Sequence, residues 1–93
     1  MKLVKPIQAH GETVHELTFR ELNGSDIMAA GFPMMQVSID TRVDPKAISA
    51  LISRAANIPT SSVANMCALD WTRAMGQVMN FFSDPDSETS EAA

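Results

Sequence analysis

Polar and apolar positions alternate over two short stretches near the start of the chain, and their spacing becomes helical further on. Leu3 to Ile7 and Glu12 to Arg20 have the two-residue period of strands, with Ala9-His10-Gly11 between them as the turn. In the second stretch Leu17 and Phe19 share a face with His15, and Val14, Glu16 and Thr18 take the other. Pro6 lacks an N–H, so the first strand belongs at an edge, as in a hairpin bordering a small sheet. Asn23 then caps a short helix that has Asp26 in its first turn, and Gly31 and Pro33 end it.

Met34 to Val43 reads two ways. Met35, Val37 and Ile39 alternate like a third strand, yet the segment also suits a loop. Asp44-Pro45 marks the next helix start, with Asp as the cap and Pro at the first helical position. Ile48, Leu51, Ile52 and Ala55 give that helix one apolar stripe. Asn57-Ile58-Pro59 breaks it, and Thr60 or Ser61 caps a short helical turn through Val63 and Met66. The last helix is expected from about Leu69 to Phe82, with Trp71, Ala74, Met75, Val78 and Phe82 on its apolar face and Cys67 just ahead. Ser83-Asp84-Pro85 stops it. The pattern gives an α+β domain over residues 1–82: an N-terminal β-hairpin or small antiparallel sheet, then three to four helices. No internal repeat is found.

Charge separates the end of the sequence from the rest. The net charge is −4 over 93 residues. Residues 1–82 hold all seven cations and seven anions, which cancel. Residues 83–93 add Asp84, Asp86, Glu88 and Glu91 without a cation or a large apolar side chain, so they are expected to be a disordered acidic tail. One cysteine excludes an internal disulfide. The longest apolar run, Ile27 to Met35, is too short to cross a bilayer. The N-terminal residues carry no signal-peptide pattern. A soluble, reducing setting is the expectation, with no membrane partner.

Catalytic and metal chemistry find little support. Cys67, His10 and His15 are the candidate nucleophile and bases, but Cys67 reads as a small core residue. The two histidines have no cysteine or carboxylate cluster beside them. No glycine-rich phosphate loop is present, so no enzyme, cofactor or metal site is expected. Ser53, Asn57-Ile58-Pro59 and Val63 have helix-turn-helix spacing. The would-be recognition element, Thr60 to Met66, has no Lys or Arg for phosphates, so nucleic acid is not an expected partner. The seven methionines point elsewhere: flexible thioethers suit partners of varied shape. Trp71, Met75, Met79 and Phe82 are the candidate partner-binding residues, suited to an amphipathic helix.

Taken in order, several segments resemble the small tail assembly chaperones of contractile-tailed, Mu-like bacteriophages. They are Val4-Lys5-Pro6-Ile7, Gly11, Leu17-Thr18-Phe19-Arg20-Glu21, Asp26-Ile27, Ala50-Leu51-Ile52-Ser53-Arg54, Ile58-Pro59, Leu69-Asp70 and Val78-Met79-Asn80-Phe81-Phe82. The resemblance spans about residues 1–82. It implies a non-enzymatic morphogenesis factor, acting in the cytoplasm of the host bacterium and absent from the mature virion. Its partner would be the tape-measure protein, kept soluble until the tail tube polymerises; self-association is also open. A small helix-turn-helix regulator is the runner-up, and a minor tail subunit a third reading.

The resemblance further implies a longer sibling made by a programmed −1 frameshift, as in related phages and prophages. Asn80-Phe81-Phe82 permits the heptamer T-TTT-TTY if Asn80 is AAT and Phe81 is TTT. The alternative A-AAT-TTT is excluded because the Met79 codon ends in G.

Overall fold

The computed structural model describes residues 1–37 and 40–82. The tail expected over 83–93 and the Ile39 position of the expected third strand lie outside the described residues. The order is β1 (Lys2–Ala9), β2 (Glu12–Glu16), α1 (Gly24–Ala30), β3 (Met34–Val37), β4 (Asp40–Val43), α2 (Pro45–Ala56), α3 (Thr60–Ala64) and α4 (Ala68–Asn80). An N-terminal two-stranded antiparallel sheet followed by four helices is the expected α+β class, with a second two-stranded sheet inserted after α1.

The first hairpin turns on two residues at positive φ, His10 at 55° and Gly11 at 76°. That pairing matches the twist of the flanking strands. Ala9 pairs with Glu12, Gln8 with Thr13 and Ile7 with Val14, and the next pair is Lys2 with Glu16. Four residues of β1, Leu3 to Pro6, therefore face a single residue of β2. The chain bulges there, at the proline that cannot donate to a ladder.

The second strand is shorter than its alternation suggested. β2 stops at Glu16, and two exposed residues, His15 and Glu16, precede buried Leu17. His15 and Leu17 therefore do not share a face. Leu17 exchanges backbone hydrogen bonds with Met1, each 2.8 Å, and the chain then leaves the sheet for α2, where the Arg20 N–H donates to the Ala55 carbonyl at 2.9 Å. Met34–Val37 and Asp40–Val43 are two strands rather than one strand or a loop. β3 and β4 pair antiparallel from Met34–Val43 to Val37–Asp40, and the Asp44 N–H closes the base on the Pro33 carbonyl at 2.7 Å.

The helices start and stop where local chemistry directs. Asn23 and Asp26 form a reciprocal capping box on α1. Asp44 accepts from the N–H groups of Lys46 and Ala47, with Pro45 first in α2. Asn57 ends α2 in the left-handed conformation, φ 56° and ψ 49°, which asparagine tolerates well. Two expectations fail. α3 is capped by Pro59 without a side-chain bond, not by Thr60 or Ser61. α4 begins at Ala68 and ends at Asn80 rather than running from about Leu69 to Phe82, with Cys67 just ahead of it as its N-cap.

The core gathers Ile7, Ala9 and Leu17 of the N-terminal part against Ile48, Leu51 and Ile52 of α2, Val63 of α3, and Ala74 and Val78 of α4. Leu51 is fully enclosed, whereas Met28 on α1 is 89% exposed. Leu51→Ala is expected to cost about 3 kcal/mol in denaturant titration, through lost transfer energy and a residual cavity. Met28→Ala should stay within about 0.5 kcal/mol. Equal effects at the two positions would contradict this core.

Candidate functional site

Two buried carboxylates hold the elements around the candidate surface. Asp70, at the third position of α4, is 0% exposed. Its oxygens accept from the Val4 N–H at 2.9 and 3.0 Å and from the Lys5 N–H at 3.1 Å, the donors that the β1 bulge leaves without a ladder. The Cys67 thiol donates to it at 3.3 Å and Arg73 Nη1 at 3.2 Å. These bonds, the Val4 N–H foremost, hold the Asp70 carboxyl below the usual carboxylate range against the opposing pull of burial.

Asp26 plays the same part for α1 and α2. Arg20 grips it through Nη1 at 2.9 Å and Nη2 at 2.6 Å, and Arg54 of α2 adds Nε at 2.7 Å. Arg20 above all, then the Asn23 backbone N–H and Arg54, push the Asp26 carboxyl far below its ordinary value, and the Arg20 guanidinium rises in turn. Linker, α1 and α2 are thereby fixed to one another. No buried side-chain nitrogen or oxygen lacks a partner among the described residues.

With its first turn fixed at Asp70, α4 presents two parallel rows. Asp70, Ala74 and Val78 form the buried one. Trp71, Met75 and Met79 run beside it, continued by Phe82 just past the helix end, packed against the core on one side and partly open on the other. All four candidate partner-binding residues are thus brought together in one half-buried ridge. Trp71 Nε1 donates to Ser49 Oγ of α2 at 3.0 Å, which fixes the indole. Phe82 meets Phe32 edge to face, with centroids 5.7 Å apart and planes at 78°. Rigid aromatics therefore bound two adaptable thioethers.

Phe32 is a residue that sequence reasoning does not find. It is 56% exposed and lies between Gly31 and Pro33, where no periodicity marks it. Phe81 adds apolar surface beside Phe82. Val4 and Leu69 are a separate exposed pair, brought together by the Asp70 bonds.

The other sequence candidates are not assembled into chemistry. The Cys67 thiol faces Asp70, His10 Nε2 lies 2.9 Å from the Asn57 carbonyl, and His15 is exposed. No group of three metal-ligating side chains occurs among the described residues. Nor is a helix there long and apolar enough to cross a membrane. The helix-turn-helix spacing belongs to α2 and α3 packed together: Ser53 Oγ donates to the Ile58 carbonyl, and Ser62 and Val63 are buried. A five-residue α3 that turns its middle into the core has little face left for a DNA groove.

Residues 1–83 match the family described as phage tail assembly chaperone proteins, E, or 41 or 14. No curated protein and no solved structure matches the chain.

The depressed carboxyls set an acid dependence. The unfolded chain binds more protons than the folded one below about pH 4, so the stability these groups contribute is complete above that value and is lost as pH falls toward their folded pKa values. Asp26→Asn should lower the melting temperature by a constant amount above about pH 5, and the gap should close toward about pH 2. A gap that persists unchanged into acid would contradict the Asp26 cluster.

Proposed function

The chain belongs to the phage tail assembly chaperone proteins, and from that premise we propose that it binds the tape-measure protein of a contractile-tailed, Mu-like phage or prophage and keeps it soluble before the tail tube forms. The family is one of assembly factors, and its role is non-enzymatic. The observation that carries the tape-measure reading is the half-buried Trp71–Met75–Met79–Phe82 ridge. A long amphipathic helix exposes an apolar stripe over many turns and aggregates unless it is covered. Thioethers between fixed aromatic ends can fit successive, non-identical stretches of such a helix.

The work takes place in the host cytoplasm, and the protein leaves before the virion matures. Contacts made by a ridge already half covered by its own core are small, so tube subunits can displace them. Copies side by side along one client need little mutual repulsion, which a described domain of near-balanced charge provides.

Full-length protein with Met75→Glu and Met79→Glu is expected to keep its helical circular dichroism and lose at least about tenfold in co-purification with the tape-measure protein, since buried charge at an interface centre is costly. Folded protein with unchanged co-purification would reject the ridge as the contact. An unfolded double variant would assign both methionines to the core.

A longer frameshifted form is part of the same reading. α4 ends at Asn80, so a slip at Asn80-Phe81-Phe82 would preserve every described element and exchange only the residues beyond Phe82. The gene is expected to read AAT-TTT-TTY there. AAC at Asn80, TTC at Phe81, or an early stop in the −1 frame would exclude this heptamer.

A further inference from the structure

An open recess of about 510 Å³ shares no residue with the ridge and is lined by Arg20, Ser53, Arg54, Asn57 and Ile58. Its donors are unequally occupied. Arg20 gives both terminal nitrogens to Asp26, and Nη1 also donates to the Glu21 carbonyl at 3.0 Å. Ser53 Oγ is taken by the Ile58 carbonyl. Arg54 gives Asp26 only its Nε, and among the described residues Nη1 and Nη2 meet no protein acceptor. The Arg54 side chain is 41% exposed. Two guanidiniums on one carboxylate leave one positive charge at the mouth of the recess. A planar pair of free N–H donors matches a carboxylate.

The chain itself carries the complementary group. Residues 83–93 hold four carboxylates and no cation, and they account for the whole net charge of −4. They begin after Phe82, whose ring lies against Phe32. Phe32 is six residues along the chain from Asp26, and the α1 helix between them covers about 10 Å. From Phe82 an extended chain reaches about 20 Å at Glu88 and about 30 Å at Glu91. Tethering at such lengths gives a local concentration in the millimolar range, enough to populate a weak ion pair.

We propose that the acidic segment 83–93 docks on the Arg20–Arg54 recess of its own chain, with the carboxylate of Glu88 or Glu91 on the free fork of Arg54. The occupant is set by charge complementarity and reach, and it does not depend on the identity of the client.

The test compares nitrogen-15 spectra of the full chain with those of a full-length variant carrying Asp84→Asn, Asp86→Asn, Glu88→Gln and Glu91→Gln. These substitutions lie outside the described fold and leave the core untouched. The Arg54 Nε–H signal and the amides of Ser53, Asn57 and Ile58 should differ between the two proteins. The difference should vanish near 1 M salt, where the screening length falls to about 3 Å, and tenfold dilution should leave it unchanged. Identical recess signals in both proteins would overturn the proposal. A difference that weakens on dilution would overturn it as well, by assigning the contact to the tail of a second copy.

Discussion

A carboxylate taken out of water at the start of α4 decides how the N-terminal hairpin and the helices meet. Between two paired positions β1 has four residues where β2 has one, so the N–H groups of Val4 and Lys5 have no ladder to join. Left buried and unpaired, they would cost more than an ordinary hydrogen bond returns. Asp70 accepts from both across 65 and 66 positions of sequence, and its own desolvation is offset by those donors together with Cys67 and Arg73. Each side supplies the polar partners the other needs. The orientation of α4, and with it the open side of Trp71, Met75 and Met79, depends on this contact. Asp26 repeats the arrangement with Arg20 and Arg54, fixing α1 and the linker to α2.

This division of labour suits an assembly chaperone. Polar clusters make the frame rigid where the core of so short a chain is small. Part of the apolar surface that remains is a ridge of two thioethers between two held aromatics. A surface of that kind adapts to many sequences and releases each of them easily. The same economy leaves Arg54 half satisfied, because Asp26 needs only its Nε.

Local chemistry was the legible part of the sequence. Asn23, Asp44-Pro45 and Asn57 announced helix ends through caps and backbone preference, which depend on near neighbours alone. The stripe of α2 was plain for the same reason. Alternation misled at Leu17 and Phe19, where the pattern outlasts the ladder because those residues pack on the core beyond the end of β2. It was ambiguous at Met34 to Val43, since β3 and β4 each have the two-residue period and the pattern alone does not say that they pair with each other. On α4 the apolar period found the right residues but merged two rows, one buried and one half open. Arg20, Arg54 and Asp70 were visible only as parts of the family resemblance, and Asp26 otherwise only as a first-turn acid of α1. Their partners lie as far as 66 positions away, so no window along the chain displays the clusters. The residues that carry the resemblance therefore include those that build the frame, while Trp71, Met75 and Phe32 lie outside it.

Amide hydrogen exchange at Val4 and Lys5, measured on the native full-length protein, addresses the Asp70 contact most directly. Neither amide has a strand partner, so only the buried carboxylate can protect them. Protection as deep as that of the α2 and α4 amides, opening only with the whole domain, is the expected result. Exchange at Val4 and Lys5 near the rate of an unstructured peptide, with Ile7 and Val78 still protected, would contradict it and leave α4 without its anchor.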